Sequence, residues 1–355
     1  MGFLSRLHNQ FLSWYQDTPL PTDEPDATPI FQTWHEFDDA KERWVSIDAA
    51  RTTSSLGARQ KTAGQDSQSL VLVTWNVASS LPLPTSRISA IVSRILSLTP
   101  AVDIIFLQEV SRAALSVMLN DVRIRQHWFS SEVDAADWGG HLFASMTLLS
   151  KARFTYPKGS SEMSTLGPVW KVKYPSRFGR EALCCDIFVP SPSPAPAAIG
   201  NPNARFRLVN VHLDSLPVHP SCRPRQISIV ASILCSAGRG VVAGDFNPVL
   251  PEDETLVQDN GLVDAWVELH GSEPGFTWGI DGKQHFPANR LDKVATVGLK
   301  AQDIEVLHPE SITTPGKPEK VRSVEDLTSH EQKHDFDELV PWSDHSGLRC
   351  SFKRV

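Results

Sequence analysis

Several short apolar runs in this chain end at a polar side chain, a pattern typical of buried strands whose ends carry a site. Asn76 closely follows the run Leu70–Val73, and Glu109 follows the run Val102–Leu107. Asp245 follows a third run of this kind, Val241–Ala243. Short apolar runs bounded by polar residues are consistent with fully buried strands. The sequence therefore predicts a sheet whose strand ends hold polar groups at a rigid site.

Further polar groups continue this pattern toward the end of the chain. His212 follows another apolar run, Asp292 lies between apolar neighbours, and Asp344 and His345 stand together near the C-terminus. Carboxylate and amide oxygens suit a hard cation such as magnesium, which completes its shell with waters and substrate phosphate. Such an inventory of side chains indicates hydrolysis of a phosphate ester.

The ordered motifs around these residues resemble the endonuclease/exonuclease/phosphatase superfamily, over residues 69–355. One tetrapeptide is weak evidence, whereas the full set in the same order is specific. Within that superfamily, residues 87–110 and 276–278 resemble the tyrosyl-DNA phosphodiesterase 2 enzymes. The motifs are Thr74-Trp75-Asn76, Leu107-Gln108-Glu109, His212-Leu213-Asp214-Ser215, Gly244-Asp245-Phe246-Asn247, Arg290-Leu291-Asp292 and Ser343-Asp344-His345.

The resemblance implies an α/β (α+β) fold, a four-layer αββα sandwich of two mixed sheets. We place this catalytic domain at residues 69–355 and expect residues 1–68 to form an N-terminal extension that is partly flexible. Residues 17–30 are rich in Pro, Asp and Thr and favour a linker, whereas Trp34 and Trp44 offer packing anchors. The first fourteen residues predict a short amphipathic helix that docks on the domain or stays loose, with partner binding as the alternative.

Periodicity and turn residues predict where the main elements lie. Aliphatic residues recur at helical spacing within residues 87–98 and predict a helix with one apolar face. The Pro-rich segment 190–203 is expected to be an inert hairpin insertion rather than a recognition segment. The charged segment 313–339 is expected to be a solvated loop. Strands are expected over residues 70–77, 182–189 and 205–213, with another ending at Glu109.

Composition restricts the possible partners. The formal net charge of −7 does not suggest nucleic-acid binding through bulk electrostatics, so a DNA contact must be local and metal-assisted. The odd number of cysteines, 5, with Cys184 and Cys185 adjacent, argues for reduced thiols in the nucleus, the cytoplasm or both. No run approaches the ~18 apolar residues of a membrane span, so no membrane partner is expected. No motif identifies a protein partner or an oligomeric state.

The resemblance implies how a metal ion would be held. Glu109 is expected to be the principal ligand of Mg²⁺, with Mn²⁺ as a substitute. Asn76 is expected to contact the ion or to brace it from the second layer of residues. Asp344 is expected to face the ion through water.

The resemblance also implies a single in-line displacement by water on a phosphodiester. Asp245 is expected to act as base for the attacking water, which Asn247 orients. His212 and His345 are expected to hydrogen-bond the phosphoryl oxygens. Asp292 is expected to fix the ring of His345 and keep it protonated, since a nearby anion favours the charged imidazole.

Substrate recognition is expected from four further residues. The ring of Trp278 can stack a base, which contributes about 1 to 3 kcal/mol. Arg180 and Arg290 are expected near phosphates, and Ser215 is expected to contact the substrate.

Each assignment has a purely structural alternative. Glu109 would cap a following helix, since acidic residues favour helix N-termini, and His212 would be a satisfied core histidine. The segment Asp245–Asn247 would form a turn. Asp292 would pair with a neighbouring basic residue, and Trp278 would belong to the core.

Two departures from the superfamily pattern bear on the substrate. Members usually carry an Asp two residues after the asparagine of the first motif, where this chain has Ala78. Many also present a Tyr from the strand around Gly139–Phe143, where this chain has none. A tyrosyl phenol, with a reference pKa of roughly 10, leaves far more easily than a sugar alkoxide. A weakened site therefore favours a DNA 5′-phosphotyrosyl bond.

Three functions remain open from the sequence. The first is hydrolysis of DNA 5′ ends that carry a tyrosyl or peptide adduct, as in the repair of trapped topoisomerase adducts. The second is another phosphoesterase activity, that of an abasic-site endonuclease or an inositol or lipid phosphatase. The third is a catalytically weakened binding protein, which Ala78 suggests.

Overall fold

The computed structural model describes residues 18–47, 69–156, 163–190, 203–314 and 338–353. The strands are β1 Thr28–Gln32, β2 His35–Asp38, β3 Arg43–Ser46, β4 Ser69–Asn76, β5 Ile104–Ser111, β6 Trp128–Ser130, β7 Phe143–Ser150, β8 Phe154–Thr155, β9 Ser164–Lys173, β10 Glu181–Pro190, β11 Asn203–His212, β12 Gly240–Asp245, β13 Val263–Asp264, β14 Asp292–Val297, β15 Ala301–Leu307, β16 Ser311–Thr314, β17 Glu338–Pro341 and β18 Gly347–Lys353. The helices are Pro84–Leu96, Arg112–Asn120, Val122–His127, Arg223–Ala237, Leu256–Asp259 and Ala265–His270.

The strands form two large mixed sheets. The first sheet has the order β1-β9-β10-β11-β12-β14-β13, with β8 beside β9. The second sheet has the order β15-β18-β4-β5-β7-β6-β2-β3, and β16 pairs with β17 separately. Three pairs are parallel, β4 with β5, β11 with β12 and β8 with β9, and the other pairs within these two sheets are antiparallel.

The two sheets pack face to face, and helices cover their outer faces. Alternate residues of β4 show this arrangement, because Leu72 enters the core between the sheets while Val73 enters the core under the helices. The helices Pro84–Leu96 and Arg112–Asn120 cover the second sheet, and Arg223–Ala237 covers the first. Both faces of the central strands are therefore buried, which explains their continuous apolar runs. The predicted four-layer αββα sandwich is confirmed.

Register places several polar strand ends side by side. In the first sheet, His212 at the end of β11 is opposite Asp245 at the end of β12, and Asp245 is opposite Asp292 on β14. In the second sheet, Asn76 at the end of β4 is opposite Gln108 on β5. The predicted grouping of polar groups at strand ends follows directly from these pairings.

Some predicted element bounds need correction. The helix begins at Pro84 rather than at residue 87, because proline is well suited to the first helical turn. The strand predicted to end at Glu109 continues to Ser111, and Glu109 lies in a bulge with φ of 57°. A bulge re-aims a side chain without ending the strand. Within the charged segment 313–339, Thr313 and Leu339 pair as strand residues.

The N-terminal part of the chain also contributes to the sheets. β1 pairs with β9, and β2 joins β3 to the edge of the second sheet. Trp34 is an anchor, as predicted, because its buried indole donates to the carbonyl of Gly167 at 3.0 Å. The predicted boundary after residue 68 therefore does not coincide with an edge of the sheets. The predicted N-terminal helix and almost all of the Pro-rich insertion lie outside the described residues.

No helix in the described part of the chain is long and apolar enough to cross a membrane. Each of the 5 cysteines is a free thiol.

Arg87 ties the loop after β4 to the segment before His345. Its guanidinium donates to the carbonyls of Val77, Ala78 and Trp342, each at 2.7 Å. It also donates to the carbonyls of residues 81 and 82, and its side chain is buried. A buried carbonyl that loses its donor carries the full cost of desolvation.

We expect Arg87→Met to lower the free energy of unfolding by about 3 kcal/mol, because several buried carbonyls lose their donor. Urea denaturation of the purified protein measures this loss. The matched control is Arg94→Met on the exposed side of the same helix, where the change should stay within about 0.5 kcal/mol. Equal losses in the two variants would contradict the bracing role of Arg87.

Candidate active site

Asp245 is the central residue of the site. Its carboxylate is 1% exposed, and its two oxygens accept from the Asn247 backbone N–H and from Asn76 Nδ2, each at 3.0 Å. The Nε2 atoms of His212 and His345 lie 3.6 and 3.9 Å from Asp245 Oδ2. The bond from the Asn247 N–H to the Asp245 side chain is an Asx-turn, so the turn expected here is compatible with a role in the site. Burial raises the pKa of Asp245, although the charge of His345 opposes the rise.

His345 and Asp292 form a buried pair, the geometry expected from the sequence. His345 Nδ1 lies 2.8 Å from Asp292 Oδ2. Burial alone lowers the pKa of His345, but the carboxylates of Asp292 and Asp245 outweigh burial and raise the pKa above its ordinary range. The imidazole is therefore held in its charged form, and the alternative that Asp292 pairs with a basic neighbour is wrong.

His212 differs from His345 in its environment. It is 4% exposed, and its Nε2 has no hydrogen-bond partner among the described residues. Burial, followed by the charges of Arg180 and His345, lowers the pKa of His212 well below its ordinary value. This imidazole is neutral, so its predicted phosphate contact is a hydrogen bond rather than a charge interaction. The unpartnered Nε2 also argues against a satisfied core histidine.

Glu109 leaves one carboxylate oxygen facing the other site residues. Oε2 accepts from the Ser79 backbone N–H at 2.9 Å and from the Ser79 hydroxyl at 2.7 Å. Oε1 lies 3.5 Å from Asn76 Nδ2 and 3.8 Å from His212 Nε2. The next helix is capped by the hydroxyl of Ser111, so the alternative that Glu109 caps it is wrong.

Asn76 acts as a donor between two carboxylates. Its Nδ2 donates to Asp245 at 3.0 Å and lies 3.5 Å from Glu109. Its Oδ1, the atom that would bind a metal ion, accepts from the Ala78 N–H at 3.0 Å. An amide oxygen has a second lone pair, so this bond still allows a metal contact, and both the direct contact and the bracing role of Asn76 stay predictions.

The residues present fit a hard cation. Glu109 Oε1 has only a long contact to Asn76 Nδ2, at 3.5 Å, and carboxylate oxygens are the ligands that hard cations prefer. Ligand atoms of Asp245, Asp292 and His345 also lie within 4.8 Å of one another. Within that trio, however, the imidazole and the Asp292 carboxylate bond each other, so we favour Glu109 as the ligand. The donor set therefore fits a metal ion, and the identity of that ion stays a prediction.

The segment that carries His345 is bonded to the strand that carries Asn76. The Ser343 hydroxyl donates to the Asn76 carbonyl at 2.6 Å and accepts from the His345 N–H at 3.0 Å. Asp344 Oδ2 lies 3.4 Å from the indole Nε1 of Trp278. Asp344 and Trp278 therefore lie on the same wall of the site. The contact of Asp344 with the metal ion and the stacking of Trp278 on a nucleobase stay predictions.

A cavity of about 370 Å³ opens beside His212. Phe143 stacks on the His212 ring with 6.1 Å between centroids, and the Arg180 guanidinium lies 5.1 Å from the Phe143 ring. Arg180 also donates to the Ser215 hydroxyl at 2.9 Å. The structure thus brings Arg180 and Ser215 together next to the catalytic candidates. Leu142, within the segment that lacks the expected Tyr, is 78% exposed.

Arg290 is placed differently from the other predicted contacts. Its guanidinium makes two hydrogen bonds to the carboxylate of Asp264, at 2.9 and 2.8 Å. These two bonds form an ion pair and leave further N–H donors on the guanidinium, so the phosphate contact of Arg290 stays a prediction.

Three residues near the site were not found from the sequence. The sequence patterns assign no role to Ser79, to Arg87 or to Phe143. Their roles depend on long-range contacts, although a hydroxyl next to a strand end is a signal that could have identified Ser79.

Comparison with known proteins agrees with this geometry. The model of the endonuclease/exonuclease/phosphatase family matches residues 73–345. A search of curated proteins finds no significant match. Among solved structures, a humanized D. rerio TDP2 with 14 mutations is 18% identical, with a TM-score of 0.55, and the match covers 80% of this chain and 99% of that chain.

Two further structures show the same fold. D. rerio TDP2 complexed with single strand DNA product is 18% identical, with a TM-score of 0.54 and coverage of 80% of this chain and 99% of that one. An endonuclease/exonuclease/phosphatase family protein from Bacteroides thetaiotaomicron is 12% identical, with a TM-score of 0.53 and coverage of 81% and 98%. The family resemblance predicted from the ordered motifs is confirmed: the chain belongs to the endonuclease/exonuclease/phosphatase family, a family of phosphoesterases.

Proposed function

We propose that this chain is a magnesium-dependent phosphodiesterase that hydrolyses 5′-phosphotyrosyl bonds in DNA. The proposal rests on the groups around the buried carboxylate of Asp245. The Nε2 atoms of His212 and His345 lie 3.6 and 3.9 Å from it, and Asn76 Nδ2 contacts both Asp245 and Glu109. This arrangement combines a base, a charged donor, a neutral donor and a metal ligand. Those groups are the ones that hydrolysis of a phosphodiester requires.

Asp245 is the base that takes a proton from the attacking water. Donors from Asn76 and Asn247 hold its two oxygens, so the carboxylate cannot rotate freely. Its raised pKa makes it a stronger base than an exposed Asp, since basicity increases with the pKa of the conjugate acid. Orientation of the water by Asn247 is part of this proposal.

His345 and His212 stabilise the phosphoryl oxygens in different ways. His345 is held charged and aimed by Asp292, so it offers a positive charge where negative charge develops. His212 contributes an unpartnered Nε2 at the edge of the site. Arg180, which donates to the Ser215 hydroxyl, adds a further cation next to this group.

Glu109 would hold the magnesium ion, with Asp344 facing it through water. Bound magnesium would supply positive charge to the phosphoryl and leaving oxygens. Ala78 adds no carboxylate near that ion, which leaves the site dependent on a good leaving group. A phenol with a reference pKa of roughly 10 is such a group.

Two observations support DNA as the substrate. One structural neighbour, D. rerio TDP2, is described as complexed with single strand DNA product. In this chain, the half-buried Trp278 lies on the wall next to His345, where its ring can stack a base. Repair of adducts on DNA would place the protein in the nucleus, the cytoplasm or both.

The direct test compares substrates with magnesium and with EDTA. We expect the protein to release tyrosine from a 5′-tyrosyl oligonucleotide at least about 1,000-fold faster than it cleaves an internal sugar-phosphate linkage, because the phenol leaves more easily. Glu109→Gln should remove most turnover, whereas Glu268→Gln on the surface should not. Faster cleavage of abasic duplex DNA or of a phosphoinositide would contradict the proposal in favour of another phosphoesterase activity.

The contact between Asp292 and His345 leads to a prediction about how catalytic activity depends on pH. His345 works while protonated, so activity falls as pH rises through its raised pKa, above the ordinary value of roughly 6.5. Asp245 works while deprotonated, so activity appears as pH rises through its own raised pKa. The Asp292 charge raises both pKa values, so Asp292→Asn should move both limbs of the kcat/KM profile to lower pH.

The profile is measured with a nucleotide 5′-p-nitrophenyl ester, with product separated by chromatography. Asp303→Asn, at an exposed carboxylate, is the matched control and should leave both limbs in place. An alkaline limb that does not move in Asp292→Asn would show that this carboxylate does not control the charge of His345.

A further inference from the structure

We propose that Ser79 is a positioning residue that fixes the Glu109 carboxylate in the orientation that binds the metal ion. This inference rests on the metal role given to Glu109 in the proposed function. It adds a residue that no motif of the chain identifies. Its basis is the contact of two Ser79 donors with one carboxylate oxygen.

The contact divides the carboxylate into two different oxygens. The Ser79 N–H and hydroxyl both donate to Glu109 Oε2, at 2.9 and 2.7 Å. Oε1 is left toward the site, 3.5 Å from Asn76 Nδ2 and 3.8 Å from His212 Nε2. Two donors on one oxygen hold the whole carboxylate plane, so the free oxygen points in one direction.

Backbone geometry brings the two residues together. Ala78 and Glu109 have φ values of 52° and 57°, in the left-handed region that non-glycine residues rarely adopt. The Ala78 N–H is held by Asn76 Oδ1 at 3.0 Å, and its carbonyl by Arg87 at 2.7 Å. Hydrogen bonds therefore hold both the N–H and the carbonyl of the residue before Ser79. A strained backbone conformation persists only where the surrounding structure holds it in this way.

The hydroxyl is the part of this contact that substitution can test. Glu109 is partly exposed, at 20%, so its side chain has room to rotate once a donor is lost. Ser79→Ala keeps the backbone donor and removes the hydroxyl, whereas Ser79→Thr keeps both. Hydrogen-bond partners of metal ligands typically change metal affinity by about 10 to 100-fold when they are removed.

The experiment measures Mn²⁺ binding to the full chain without substrate, by electron paramagnetic resonance of the free ion. We expect Ser79→Ala to raise the Kd for Mn²⁺ by about 10-fold, and Ser79→Thr to stay within about 2-fold of the wild type. Ser80→Ala, at the exposed neighbouring hydroxyl, is the matched control and should bind as the wild type does. In turnover, saturating metal should restore most of the kcat of Ser79→Ala.

Each outcome is informative. An unchanged Kd in Ser79→Ala, or an equal loss in Ser79→Thr, overturns the positioning role. The two proposals can also fail separately. If Ser79→Ala and Glu109→Gln both weaken Mn²⁺ binding but the wild type leaves 5′-tyrosyl DNA intact, the proposed substrate is wrong and the positioning role of Ser79 is supported. If Glu109→Gln binds Mn²⁺ as tightly as the wild type does, both the metal role of Glu109 and the positioning role of Ser79 are overturned.

Discussion

The hydrogen bond from Asn76 Nδ2 to Asp245 Oδ2 joins the two sheets at the site, and the geometry of the site depends on it. Asn76 ends a strand of the second sheet and Asp245 ends a strand of the first, so a 3.0 Å contact sets their separation. Gln108 and Asn210 make a second bridge, at 2.8 Å, deeper between the sheets. Buried amides are costly unless they are paired, so these bridges permit only one relative placement of the sheets.

This placement brings together residues that are far apart in the chain and gives the two histidines different charge states. The bond to Asp292 and the charge of Asp245 outweigh burial at His345 and raise its pKa. At His212 burial, together with the charges of Arg180 and His345, lowers the pKa, although Asp245 and Glu109 lie nearby. Neighbouring groups of the same residue type therefore take different roles because their surroundings differ. The same buried environment makes Asp245 a better base.

Much of the fold and of the site was predictable because the relevant signals are local. Apolar runs identified β4, β5 and β12, and the polar residue at each strand end identified Asn76, Glu109 and Asp245. Motif order then indicated the sandwich. The bulge at Glu109 was not predictable, because its backbone has a positive φ and glutamate, unlike glycine, does not indicate such a conformation.

Other features depend on contacts between distant segments. Two examples are the ion pair between Arg290 and Asp264 and the direction of the Asn76 amide, neither of which a local sequence pattern indicates. The strands at residues 28–46 were missed because a segment rich in turn residues precedes them and their pairing partners lie far along the chain. Local patterns indicate elements, whereas only packing decides which side chains meet.

In the proposed reaction a water activated by Asp245 attacks phosphorus, and the tyrosyl phenol leaves. Cleavage of a 5′-tyrosyl oligonucleotide in water enriched in ¹⁸O, followed by mass spectrometry of both products, tests this reaction. After a single turnover we expect one ¹⁸O in the 5′-phosphate of the oligonucleotide and none in tyrosine. Label in the tyrosine hydroxyl, or a covalent phosphoryl-protein species before product, would contradict it.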